Sequence, residues 1–194
     1  MDRSVCIVQG HPHGEAPHLC HAIGEAYATG ARLVGAQVRV VDLGTMDIPL
    51  LRSPSDFGDV PPEQVAMAQS AILRSHHLVV IYPLWLGTMP AVVKAFFEQL
   101  CRNNFAIENN KTGGWPRQKL KGRSARVIVT MGMPALAYRF MYGAHGVRGF
   151  EKSILGLAGI GPIRETLIGG VGALDPARAE ALLGRIRRLG EQLR

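Results

Sequence analysis

The residues from Leu78 to Phe97 constrain the fold more than any other part of this chain. Leu78, Val79, Val80 and Ile81 form a short, largely β-branched run that ends at Tyr82-Pro83. An apolar run without alternation reads as a strand covered on both faces, as in a parallel sheet. The loop Leu84-Trp85-Leu86-Gly87-Thr88-Met89 follows, and Pro90 then opens an amphipathic stretch that ends in Phe96-Phe97. Proline suits the first turn of a helix because its missing N–H has no partner there in any case. The segment therefore reads as strand, loop and helix, with the loop at the strand's carboxyl end. In an open α/β sheet, ligands bind at that edge.

The same alternation runs along the chain. Strands are expected at Val5–Gln9, Val38–Asp42, His77–Tyr82, Ala125–Thr130 and Arg164–Ile168. Helices are expected at Pro17–Val34, Pro62–Ser75, Pro90–Arg102, Leu136–Tyr142, Phe150–Leu157 and Pro176–Leu193, the last with Asp175 as its N-cap. Five strands separated by helical patterns predict a doubly wound α/β domain, with a parallel sheet, right-handed crossovers and helices on both faces. Two segments lack periodicity. Leu51–Pro61 is expected to be a surface loop, and Asn103–Gly122 a longer one of the kind that is often functional or disordered. No internal repeat or linker interrupts the chain, so residues 1–194 are expected to form a single domain.

Composition narrows the class. No run of 18 apolar residues occurs, so no transmembrane segment is expected. The start lacks the long apolar stretch and small-residue cleavage site of a signal peptide, which points to a cytoplasmic protein. Cys6, Cys20 and Cys101 show no CxxC spacing, which argues against a disulfide framework or a zinc knuckle. Cys6 is expected to be a small buried hydrophobe within the first strand. The net charge of +7 raises nucleic acid as a partner. The basic run Arg117, Lys119, Lys121, Arg123 and Arg126 carries no interleaved aromatics, however, and stacking on single strands needs them. That run and the cluster Arg185, Arg187 and Arg188 read as solvated surface. An anionic small ligand explains a basic balance without nucleic acid.

Three loops at one sheet edge hold the candidate chemistry. The first, Gly10 to His18, joins the first strand to the first long helix, whose N-terminus suits a phosphate. His11, His13 and His18 add possible donors. The loop matches neither the Walker pattern nor GxGxxG. His11, His13, His18 and His21 also leave a metal site open as an alternative, without the Cys pair or HExxH that would strengthen it. The second loop, Pro83 to Met89, places Trp85 and Leu86 where they could cover a flat aromatic ligand; the plain alternative makes Trp85 a core residue. The third, Thr130-Met131-Gly132-Met133-Pro134, has a glycine that permits close backbone approach. Tyr138, Tyr142 and His145 lie just beyond it. GxSxG is absent, which speaks against a nucleophile-elbow serine hydrolase.

Gly10-His11-Pro12, Asp42-Leu43, the segment from Pro83 to Lys94, and Thr130-Met131-Gly132 together resemble the flavodoxin-like NAD(P)H:quinone oxidoreductase family. The order and spacing agree over nearly the whole chain, and the Pro-Leu to Met-Pro-Ala segment is the most specific part. The resemblance implies a flavodoxin-like five-stranded sheet of order 2-1-3-4-5 with a flavin at its switch point. It implies a homodimer and two-electron, ping-pong hydride transfer from NAD(P)H through flavin N5 to a quinone or other small aromatic acceptor. By position, His11 and His18 fall in the phosphate loop. Pro83, Leu84, Trp85, Leu86 and Gly87 fall along the isoalloxazine edge, and Thr130, Met131, Gly132 and Met133 beside its pyrimidine end. Tyr138 and His145 match, with one residue of slippage, a pair that stabilises charge on the reduced ring. FMN is expected rather than FAD, because the chain adds no segment after its last helix for an adenosine. The chain departs from the family at Ala16-Pro17-His18, where a hydroxyl and a Phe-Asn pair are usual. It departs again at Leu86 and at Met131 and Met133, which make the pocket more apolar. A second reading, from relatives with overlapping motifs, is a regulatory partner such as an ancillary subunit of a membrane transporter.

Overall fold

The computed structural model describes residues 3–108 and 113–193. Its centre is a parallel sheet of β1 (Ser4–Gln9), β2 (Gln37–Asp42), β3 (His77–Pro83), β6 (Ser124–Thr130) and β7 (Ile163–Ile168), in the order β2-β1-β3-β6-β7. Counting these five alone gives the expected order 2-1-3-4-5. In-register parallel pairing places Gln9 beside Ile81 and Pro83 beside Thr130, which brings the loops after β1, β3 and β6 to one edge.

Period-two alternation divides the strand side chains between two cores. Val5, Ile7, Val79, Ile81 and Ile128 pack under α1 (Leu19–Leu33) and α6 (Pro176–Gln192). Cys6, Val8, Leu78, Val80, Val127 and Val129 face the opposite layer. That layer contains α2 (Glu63–Leu73), α3 (Ala91–Leu100), α4 (Ala135–Met141) and α5 (His145–Phe150). Helices thus cover both faces, and Leu78 to Ile81 are almost wholly buried, as a two-sided strand requires. Cys6 is fully buried, and desolvation pushes its thiol up to about 12.

The layer of α1 and α6 depends on two glycines. A Cβ at Gly30 would lie 2.0 Å from the Arg187 carbonyl oxygen, and one at Gly190 2.1 Å from that of Tyr27. The helix backbones are therefore in direct contact, and neither can recede without opening the Ile23–Ile186 core. Gly30→Ala is expected to lower stability by about 2 kcal/mol and the Tm by about 5 °C, although alanine is the better helix former. A thermal melt at neutral pH checks this; a variant as stable as the parent would mean that the two helices slide apart freely.

Several expectations require correction. Asn103–Gly122 is not loop throughout. β4 (Ile107–Glu108) and β5 (Arg117–Gln118) pair antiparallel within it, and two-residue strands leave no periodicity to read. Asn109 and Asn110, part of that stretch, lie outside the described residues. The helix expected at Phe150–Leu157 begins earlier, with α5, and continues as a π-helical turn over Glu151–Gly156. Arg126 is not solvated surface: it is buried in β6 with its guanidinium on the Thr166 hydroxyl, whereas Arg185, Arg187 and Arg188 are exposed. Among the described residues no helix is long and apolar enough to cross a membrane.

Candidate functional site

The sheet edge is built by spending some backbone groups and leaving others open. The Gly10 N–H donates to the Ile81 carbonyl at 2.6 Å, tying the first loop to β3. A Cβ at Gly10 would lie 2.8 Å from that oxygen and 2.8 Å from Val93, so the close approach needs glycine. Gly14 and Gly44 likewise meet backbone to backbone, with the Gly14 nitrogen 2.6 Å from a Cβ at Gly44. This contact holds the first loop against the turn after β2. The N–H groups of Glu15, Ala16, Leu19 and Cys20 have no acceptor among the described residues, as expected where a helix begins.

The second loop is a tight hairpin. Trp85 and Thr88 exchange both hydrogen bonds, at 2.9 and 3.0 Å. Leu86 and Gly87 between them hold φ of 49° and 81°, the left-handed pair of a two-residue turn. Leucine is a poor residue for that conformation, and its side chain stands fully in solvent at 105% exposure. The Leu84 N–H is consumed by the Thr130 carbonyl at 2.7 Å, and Pro83 has none, so the open donors here are the Leu86 and Gly87 amides. Trp85 is half exposed rather than part of the core, and its ring meets His11 edge-on at 6.5 Å.

The third loop shows the same economy. Thr130 and Met131 are buried. The Thr130 hydroxyl lies 3.4 Å from the Cys20 sulfur, and the Met131 N–H and C=O are both bonded to the segment around β7. The Gly132 and Met133 N–H groups have no acceptor among the described residues. Of the residues expected at the site, the structure thus brings together His11, His18, Trp85, Leu86, Gly87, Gly132 and Met133. Pro83, Leu84, Thr130 and Met131 support the edge from within.

Tyr138 and His145 separate. The Tyr138 ring is 1% exposed and its hydroxyl donates to the Gly87 carbonyl at 2.9 Å, so it braces the hairpin from behind. Burial raises its phenol above the ordinary range. His145 is exposed and lines a cleft of about 730 Å³ with Trp85, Leu86, Met89, Lys94, Phe150 and Ile154. Sequence reasoning assigned Gly146 no role. A Cβ there would lie 2.3 Å from the Gly87 oxygen and 2.8 Å from the Thr88 Cα, so α5 seats directly on the hairpin. The signal was the spacing Gly143, Gly146 and Gly149, which reads as loop composition unless a helix must pack on backbone.

The four histidines are gathered, with the His11 and His18 rings stacked at 3.8 Å. Among the described residues no set of three or more His, Cys, Asp or Glu side chains is arranged to hold a metal ion.

A five-stranded parallel sheet of this order, with helices on both faces, is a flavodoxin-like fold. The family model for the flavodoxin-like fold matches residues 3–193, and the chain belongs to that family. Among solved structures it is similar to Smu.1420 of Streptococcus mutans UA159, with a TM-score of 0.80 and 23% identity over 97% of this chain and 99% of the other. It is similar to an NAD(P)H:quinone oxidoreductase of Methanothermobacter marburgensis, with a TM-score of 0.76 and 22% identity over 100% and 98%. The glutathione-regulated potassium-efflux system ancillary protein KefG of Escherichia coli O6:K15:H31 (strain 536 / UPEC) is 33% identical over 88 residues, which span 45% of this chain and 42% of the relative.

Proposed function

We propose that this chain is an FMN-dependent NAD(P)H:acceptor oxidoreductase that reduces quinones or related small aromatic acceptors. The observation that carries the reading is the set of unspent amides at Leu86, Gly87, Gly132 and Met133, displayed from two adjacent loops beside the histidine loop. Such donors suit the carbonyl and nitrogen edge of a flat heterocycle, and the start of α1 suits its phosphate. The donor set therefore fits a flavin. A neighbour of the same fold is an FMN-dependent NADH-azoreductase from Bacillus anthracis str. Ames Ancestor solved in complex with FMN, with a TM-score of 0.73 and 15% identity over 100% of this chain and 99% of the other.

When bound, the flavin supplies hydride transfer at N5 with negative charge gathering near N1 and O2. The protein's part is to hold and orient. The Leu86 and Gly87 amides, and those of Gly132 and Met133, are placed to donate to the ring edge. Donors fixed before charge develops stabilise it without reorganising. His145, exposed at the cleft rim, presents its imidazole to an acceptor entering that cleft. Leu86, Met89, Phe150 and Ile154 exclude water and favour a lipophilic acceptor. We propose further that the protein is a cytoplasmic homodimer, as the resemblance implies; exposed Leu136, Phe140, Met141 and Tyr142 beside the cleft support a covered face.

An absorption spectrum tests the core of this reading. Protein reconstituted with FMN is expected to show bands near about 370 and 450 nm that co-elute with it and bleach anaerobically with NAD(P)H. Protein that stays colourless with FMN and with FAD would overturn it. The KefG similarity favours one alternative, an ancillary subunit of a membrane transport system. A stoichiometric membrane partner recovered with colourless protein would install that reading instead.

A further inference from the structure

The histidines of the first loop form one array with the first turn of α1. Ring centroids lie 3.8 Å apart for His11–His18, 5.2 Å for His13–His18, 5.7 Å for His11–His21 and 5.8 Å for His18–His21. Hydrogen bonds limit how many protons the array can carry. His13 Nδ1 and His18 Nε2 are 2.9 Å apart, so only one proton fits between them. His21 Nδ1 accepts the His18 N–H at 3.2 Å, which leaves its proton on Nε2, 3.9 Å from the Asp42 carboxylate. His11 Nδ1 lies 3.2 Å from the His13 N–H and 3.3 Å from the His13 carbonyl oxygen. A neutral His11 accepts from the first; a protonated one donates to the second. The ring can change charge without losing a partner.

Cations at these separations repel one another. Burial and the neighbouring imidazoles, His18 first among them, hold His11 below the usual histidine range. From the other elements packed against the array, the facing charge is Asp42 at the end of β2, and the loop after β3 presents Trp85, which does not titrate. Glu15 is exposed within the same loop, and burial keeps the Cys20 thiol neutral beside Thr130. A single carboxylate is a small counterweight to four imidazoles. Beside them lie the open amides of Glu15, Ala16, Leu19 and Cys20. A dianion placed there turns the repulsion between protonated rings into attraction.

We propose that His11, His13, His18 and His21 form a proton-linked cradle for a phosphate monoester, taking up a proton as the dianion binds, so that acidity tightens and alkalinity releases the ligand. This rests on the flavin reading above and adds its regulation. Hydroxyl or amide donors would bind phosphate with little dependence on pH; imidazoles cannot.

Calorimetric titration of the apoprotein with FMN tests this in two buffers of unlike ionisation enthalpy. Affinity is expected to fall about tenfold between about pH 6.5 and about pH 8.5, a range in which the phosphate is already largely dianionic. The heats should differ between buffers by the uptake of up to about one proton. Riboflavin, which lacks the phosphate, should show neither effect. Inorganic phosphate with the same pH dependence would show that the cradle reads the phosphate group itself. If inorganic phosphate binds with proton uptake while no flavin binds, the cradle stands and the flavin reading falls. If FMN binds equally at every pH with identical heats, the cradle is overturned and the flavin reading stands. If neither binds at any pH, both fall. The doubly substituted His13→Gln, His18→Gln protein keeps hydrogen-bond donors without the titration. With only His11 and His21 left to titrate, it should lessen the pH dependence, and a far-UV circular dichroism spectrum checks that it folds.

Discussion

Gly146→Ala should weaken FMN binding by about a hundredfold, the largest loss expected from removing no functional group. Helix propensity alone argues the other way, since alanine is favoured over glycine within a helix by about 1 kcal/mol. The contact decides the sign. The new methyl would lie 2.3 Å from the Gly87 carbonyl oxygen and 2.8 Å from the Thr88 Cα, and both are backbone atoms that cannot swing aside. The hairpin must move, and it carries the Leu86 and Gly87 amides assigned to the ring. Leu86 already holds an unfavourable left-handed conformation, so the turn has little cause to keep its shape once pushed. Tyr138→Phe removes the 2.9 Å bond to the same carbonyl and should act in the same direction, by about tenfold. Fluorescence titration with FMN measures both, and amide exchange at Leu86 and Gly87 reports whether the hairpin loosens. An unchanged Kd in Gly146→Ala would mean that these amides do not hold the ring.

That test also bears on what could be read from the sequence. The central strands β1, β3 and β6 were legible because burial on both faces writes a largely apolar run, the edge strands β2 and β7 because they alternate with helical patterns, and all five ends fell within about one residue of the expected positions. The three loops were legible as positions, because Gly10, Gly87 and Gly132 sit directly after strands. Which groups each loop leaves free was not. The amide of Leu84 and both polar groups of Met131 are consumed by neighbouring strands, and no local pattern records a partner 46 or 37 residues away, at Thr130 and Ile168. The resemblance paired Tyr138 with His145 in one role, whereas Tyr138 is buried on the Gly87 carbonyl and His145 is exposed at the cleft. Arg126 illustrates the same limit: its basic neighbours suggested surface, but its place in the register of β6 turned it inward under α1 and α6.

Acid should destabilise this protein through a histidine far from the candidate site. His77 opens β3 at the opposite end of the sheet and is 4% exposed. Its Nδ1 is 2.7 Å from the Ser124 hydroxyl, its ring stacks near Tyr27 at 6.2 Å, and its buried Nε2 has no hydrogen-bond partner among the described residues. Burial first, and then the Arg126 and Arg164 cations, lower its pKa from 6.5 to about 4. The folded state therefore refuses a proton that the unfolded chain accepts. Above the unfolded value this costs nothing. As the pH falls from about 6.5 to about 4 the unfolded state gains progressively, and below that both states are protonated and the loss levels off. The shift corresponds to about 3 kcal/mol, or about 10 °C in Tm for a chain of this size. The parent's curve alone does not isolate the effect of one group. The difference between parent and His77→Gln does, since glutamine can still bond Ser124 and carries no titratable proton. Melts followed from about pH 7.5 to about pH 4 should show the parent losing stability more steeply than the variant, by about 3 kcal/mol over the interval. Parallel curves would mean that the interior of this sheet end opens to water before His77 is charged.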